Sequence, residues 1–138
     1  MSRVISTQKP GKIRNQHRRT AAEALRRLSQ KSQLDDEAKD LAALIVFSLH
    51  GIANTVEQTI DAWEKRNYYI KAERFRQEWR WLARVTDELS AIIYEGQWDR
   101  LPAVLARLAP HLADVRIKQL TRKPVLWQGA YERFMQEE

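Results

Sequence analysis

Leu41–Trp63, LAALIVFSLHGIANTVEQTIDAW, holds the longest dense run of apolar residues in the chain and lies between two strongly charged flanks. Ala42, Ile45, Leu49, Ile52, Val56, Ile60 and Trp63 recur at steps of three and four, the spacing that lines one face of an α-helix. Leu41, Leu44, Val46 and Phe47 add apolar surface on its other sides. The first half is therefore hydrophobic nearly all round, as in a helix contacted from several directions. The stretch is expected to be a central helix or the seam of a dimer. A membrane span needs about 20 apolar residues, whereas the unbroken run ends at Phe47 and is followed by Ser48, His50 and Gly51; spanning is rejected.

Working outward, Asp35, Asp36 and Glu37 supply an N-cap and two acids for the first turn, where the helix dipole favours negative charge. Downstream, no Gly or Pro occurs between Ile52 and Glu95, yet the apolar phase slips. Continued from Trp63, the first stripe would fall near Asn67, Ile70, Arg74 and Gln77, whereas the next stripe is Tyr68, Ala72, Phe75, Trp79, Leu82, Thr86, Leu89 and Ile93. That offset predicts a tight reversal near Lys65–Asn67, with Asn67 in the left-handed cap conformation, and hence a long central helical hairpin. A third helix then runs to Glu95 with Gly96 as its C-terminal cap. Asp99 is expected to cap a fourth helix with Pro102 in its first turn, Pro110 to kink or restart it, and Val125–Met135 to form a last helical segment.

Upstream, Met1–Arg19 reads as a flexible basic arm, because Lys9, Pro10, Gly11 and Lys12 interrupt regular structure and Ile13 lacks apolar neighbours at a useful spacing. Thr20, Ala21, Ala22 and Glu23 match a capping box, which predicts a short first helix from Thr20 to about Lys31. Strand signals are absent. The expected architecture is all-α, with about four main helices forming one bundle over residues 20–138 behind an arm over residues 1–19.

With 138 residues, one domain can bury over ~60% of its unfolded surface. There is no cysteine, so disulfides, thiolate metal sites and thiol nucleophiles are excluded. Residues 1–22 carry no apolar run and no acid but several Arg and Ser; this is faintly transit-peptide-like, and the expected location is the cytoplasm. The net charge of +6 is uneven: residues 1–33 hold nine Lys or Arg against Glu23 alone, a net +8, and the remaining 105 hold 15 basic and 17 acidic residues, a net −2. Such asymmetry points to a polyanionic partner.

Three constellations bear on function. In the arm and first helix, Lys9, Lys12, Arg14, Arg18, Arg19, Arg26 and Arg27 have the density and spacing to track phosphates, against the alternative of a solubilising tail or an arm docked on acidic protein. In the third helix, Arg76, Arg80 and Arg84 form a ridge at steps of four that would widen that footprint. Tyr68, Tyr69, Phe75, Trp79 and Trp81 lie among basic residues; Phe75 and Trp79 fall on the core stripe, while Tyr69 and Trp81 do not, and exposed aromatics could stack on unpaired bases.

The third constellation is acidic. Glu37 with Asp40, and Asp61 with Glu64, are superficially similar to the paired acid motifs of the all-α NTP pyrophosphatases, a resemblance that would imply a magnesium-dependent nucleotide pyrophosphatase-like enzyme. Both pairs fall on one predicted helix in the wrong order of residue types, and a hard-cation site needs carboxylates that converge. His17, His50 and His111 each lack a Glu three residues before them, so they do not fit the bundle di-iron pattern. The chain is therefore read as a non-enzymatic, cofactor-free protein binding RNA or DNA through its basic N-terminal arm with little sequence selectivity. The alternative is a protein-interaction module, a homodimer or subunit of a complex, using Leu41, Leu44 and Phe47 as its interface.

Overall fold

A computed structural model describes residues 8–137, and every regular element among them is helical. The six α-helices are α1 Pro10–Ser29, α2 Asp36–Lys65, α3 Tyr69–Glu78, α4 Trp81–Glu95, α5 Leu101–Leu112 and α6 Ala130–Gln136, with short 3-10 turns at Trp98–Arg100 and Pro124–Leu126. The all-α expectation holds, but the helices are more numerous and differently divided than expected. None of them is long and apolar enough to cross a membrane.

At 30 residues, α2 is about 45 Å long and forms the axis of the bundle. Asp35 caps it, its carboxylate accepting from Ala38 N at 2.8 Å. Helices α1, α3, α4 and α6 all pack on α2, which explains the all-round apolar sequence. Ala38, Leu41, Ala42, Ala43, Leu44, Ile45, Val46 and Leu49 are buried. Phe47 packs edge-on against Phe134 of α6, with centroids 6.1 Å apart. Leu41, Leu44 and Phe47 are thus occupied by the chain's own core rather than displayed as a seam.

The first ten helical residues correct the arm. Pro10 sits at the start of α1, where its missing N–H and fixed φ suit a helix, and Gly11 shares that forgiving first turn. Helix α1 runs unbroken through Arg19, so of the expected arm only Lys9 and Gln8 precede it among the described residues, and Met1–Thr7 lie outside them. Thr20 is mid-helix and caps nothing; its hydroxyl donates to Gln16 O at 3.0 Å. The face that α1 turns to α2 carries Arg14 and His17 where apolar residues would be expected. Gly51 of α2 accommodates this approach, since a Cβ there would lie 2.5 Å from the His17 ring.

The reversal after α2 follows the expected chemistry. Asn67 has φ 63°, and Tyr68 N donates to Trp63 O at 2.9 Å. The expected third helix is two: α3 stops at Glu78, and α4 restarts at Trp81 without a Gly or Pro. In a continuous helix residues 79 and 81 would point about 200° apart. The break instead brings the two indoles to 5.7 Å and lets Trp81 stack on His111 of α5 at 3.8 Å. Gly96 ends α4 with φ 67°, as expected. Asp99 does not cap α5: it lies in the 3-10 turn, and Arg100 occupies the N-cap without a side-chain bond. Pro102 is in the first turn and Pro110 in the last, so α5 ends two residues later.

Residues 113–123 are irregular, and several of their backbone groups bond to side chains of α1. Arg19 donates to Arg116 O and Gln119 O, Arg26 to Ile117 O, and Arg27 to Arg122 O. Glu23, fully buried, accepts from Thr121 N at 2.6 Å, Thr121 Oγ1 at 2.7 Å, Arg122 N at 2.8 Å and Arg19 Nε at 2.7 Å. Burial would raise its pKa, but the Arg122 amide, the Thr121 hydroxyl, Arg19 and the Thr121 amide together hold it at about 2, as expected when donors satisfy the charged form. The remainder of the C-terminal segment docks on α2: Trp127 Nε1 donates to Glu37 at 3.4 Å, and Asp40 accepts from Gly129 N and Tyr131 N at the start of α6.

Candidate nucleic-acid interface

Most of the cations read as phosphate contacts are engaged in holding the bundle together. Arg14 donates to Thr55 Oγ1, Thr55 O and Thr59 Oγ1 and lies 4.8 Å over the Phe75 ring; burial pulls its pKa below the ordinary guanidinium value. Arg18 donates to both carboxylate oxygens of Asp114, at 3.1 and 2.5 Å, and to His111 O at 2.9 Å. Arg19 and Arg26 hold the irregular segment, and Arg27 does so while lying over Trp127. Lys9 and Lys12 are exposed.

The ridge divides in the same manner. Arg76 faces α2 and bridges Glu64 at 3.2 Å and Glu73 at 3.0 Å, which raises its pKa. Arg80 and Arg84 lie instead on the outer side of the α3–α4 break, both exposed. The break therefore divides the three-residue ridge into Arg76, paired with Glu64 and Glu73, and two exposed cations, Arg80 bonded to Gln77 and Arg84 paired with Glu88.

Three of the four paired carboxylates also serve the fold, while Asp61 is exposed. Glu37 and Asp40 bind the C-terminal segment, and Glu64 binds Arg76. Among the described residues no three His, Asp or Glu side chains converge as a metal site.

The reversal between α2 and α3 is among the exposed apolar surfaces of the fold. Tyr68, Tyr69 and Ile70 are 51%, 59% and 73% exposed, three consecutive large apolar residues at the tip of a charged hairpin. Their placement follows from Asn67: the left-handed residue turns the chain, and Ala72 is the one residue of α3 that is fully enclosed. Asn67, Tyr68, Tyr69, Ile70, Lys71 and Arg74 line a shallow concavity there. Tyr69 OH donates to Asn67 Oδ1 at 3.2 Å, which fixes the ring at the rim.

Lys71 and Arg74 line the same concavity, and Lys65 and Arg66 immediately precede the turn. Lys71 sits 4.5 Å from the Trp63 ring centroid, while Lys65, Arg66 and Arg74 are exposed. Glu64 and Glu73, the acids beside them, are taken up by Arg76. The tip thus combines flat apolar faces with cations free to meet phosphates. In sequence the signal was Ile70, which falls out of phase with the stripe through Ala72 and Phe75; Tyr68 was read on that stripe and is instead outside it.

No protein-family model, curated protein or solved structure matches the chain. The functional reading rests on the geometry alone.

Proposed function

We propose that the chain is a non-enzymatic nucleic-acid-binding protein that holds single strands at the α2–α3 tip, directed by phosphates and with little sequence selectivity. The observation that carries this reading is the exposure of Tyr68, Tyr69 and Ile70 in a concavity they share with Lys71 and Arg74, with Lys65 and Arg66 exposed just before the turn. Aromatic faces stack on unpaired bases for about 1–3 kcal/mol each. Four phosphate contacts on a single strand correspond to a slope of about −3 in log K against log salt. The N-terminal arginines, engaged inside the bundle, set the fold rather than the footprint in this reading.

Fluorescence anisotropy of labelled single-stranded and duplex oligonucleotides across a salt series tests it. Tyr68→Ser with Tyr69→Ser should weaken single-strand binding by about tenfold or more, while Tyr69→Phe should leave it intact. Arg66→Gln with Arg74→Gln should flatten the salt slope by about 1.4. Binding that ignores all four substitutions would overturn the reading.

A second reading has its own observation. A groove of about 660 Å³ between α1, the residue 30–35 link and α5 is lined by Leu25, Leu28, Leu34, Trp98, Leu101 and Leu105, and Leu34 is 44% exposed. It would suit the apolar face of a protein partner. A change in molecular mass by light scattering that disappears with Leu34→Asp would favour this reading.

A further inference from the structure

A second cationic surface lies away from the tip, where α4 and α5 meet. Arg80 and Arg84 from the start of α4, Arg100 from the 3-10 turn and Arg107 from α5 line an open basin of about 950 Å³. Helix α4 places Arg84 one turn after Arg80, and α5 returns antiparallel beside it, so four guanidiniums from three elements face one space. Trp81 and His111, stacked at 3.8 Å with their planes 6° apart, form one wall. Burial pushes His111 below its ordinary 6.5, so this wall is neutral aromatic surface near pH 7. Arg18 fixes it from behind by donating to His111 O.

The charges in the basin do not balance. Glu88 is its one carboxylate among the lining residues. Glu88 accepts Arg84 at 3.4 Å and also bridges Arg107, so one negative charge is shared by two guanidiniums. Arg100 donates to Gln97 Oε1 at 2.7 Å and Arg80 to Gln77 Oε1 at 3.3 Å. Amide oxygens orient a guanidinium without neutralising it. Four positive groups and one negative leave a net +3, held in place by amide and carboxylate partners before any ligand arrives.

We propose that this basin is a binding site for an anion bearing two or more adjacent phosphate groups. Guanidinium forks match the geometry of phosphate oxygens and form paired charge-assisted hydrogen bonds with them. A residual charge of three is matched by an oligophosphate rather than by a single carboxylate. Such an anion could be a free oligophosphate or nucleotide, or the phosphorylated end of a nucleic acid. The proposal does not rest on the tip, and either site can fail without the other.

Isothermal titration of the full chain with inorganic tripolyphosphate tests it, with sulfate as the comparison anion. Saturable binding should weaken by about tenfold or more in Arg84→Gln with Arg100→Gln, two exposed positions that the core does not need. Glu88→Gln should tighten it, because the basin's own competing carboxylate is removed. Tyr68→Ser with Tyr69→Ser should leave it unchanged. Oligonucleotides with a 5′-triphosphate or a 5′-hydroxyl separate the sources: a gain from the triphosphate that is lost in the double arginine variant assigns a nucleic-acid end, and equal binding assigns a free ligand. No saturable binding of tripolyphosphate up to about 1 mM, or binding that the arginine and Glu88 variants leave unchanged, would overturn the proposal.

Discussion

Replacing Glu23 by Gln keeps the shape of the side chain and removes its charge, so the variant isolates what the buried carboxylate does. In the native chain that carboxylate is the common acceptor for Thr121 N, Thr121 Oγ1, Arg122 N and Arg19 Nε, and Arg122 Nη1 stands 3.8 Å away. A pKa held from 4.5 down to about 2 corresponds to a stabilisation of about 3 kcal/mol at 1.36 kcal/mol per unit. The residue 121–122 strap is one layer thick and bordered by solvent, so screening reduces this to about 2 kcal/mol. The amide of Gln also turns an NH2 toward donors, which adds the cost of at least one unpaired group, about 1 kcal/mol. The expected loss for Glu23→Gln is therefore about 3 kcal/mol, or a fall of about 1.5 M in the urea midpoint at a slope near 2 kcal/mol/M. The pH dependence has a definite sign. A depressed carboxylate stabilises the fold above its unfolded pKa near 4.5, and the contribution fades as pH falls toward about 2. Urea titrations at pH 7 and at steps between pH 5 and 2.5 would measure both. A midpoint unchanged at pH 7, or an equal acid loss in native and variant chains, would refute the buried-clamp account.

Substitutions centred on Gly51, Phe47 and Asn67 probe the packing. Gly51→Ala places a methyl 2.5 Å from the His17 ring and should lower stability by about 1–2 kcal/mol despite the better helix propensity; adding His17→Ala should reverse the sign, as read by thermal melts. Phe47→Glu should unfold the chain by about 3 kcal/mol or more without changing its mass in solution; dissociation of a dimer with native stability retained would contradict the intramolecular packing on Phe134. Asn67→Ala should cost about 1 kcal/mol because φ is 63°, whereas Asn67→Gly should be close to neutral, both from urea midpoints.

The parts of the fold that were legible in the sequence are those decided locally. Asp35 caps α2 through its own neighbour, Asn67 turns the chain because few side chains accept a positive φ, and Gly96 ends α4 for the same reason. The phase slip between the Trp63 and Phe75 stripes forecast the hairpin. What escaped depends on partners far along the chain. Arg14 and His17 occupy helix positions that pattern reading assigns to apolar residues, and they can do so only because Thr55, Thr59 and Gly51 receive them from α2. Glu23 looked like half of a capping box, while three of its four donated bonds come from residues 98 and 99 positions later. The α3–α4 break carries no Gly or Pro; it accompanies the stacking of Trp81 on His111, a contact 30 residues apart in the chain. Leu41 and Leu44 illustrate a deeper limit: an all-round apolar helix has the same sequence whether its neighbours belong to the same chain or another. At the candidate interface, the basic and aromatic composition was visible, but which arginines the fold consumes and which it leaves free was set by tertiary contacts.

The measurement that bears most directly on the proposed function is a titration of the isotope-labelled full chain with a short single-stranded oligonucleotide, followed by amide chemical shifts. The account predicts perturbations centred on residues 65–74, with Tyr68, Tyr69 and Ile70 most affected and α1 from Arg14 to Arg27 unmoved. Perturbations confined to residues 1–12, with the α2–α3 tip silent, would contradict it and return the nucleic acid to the N-terminal segment.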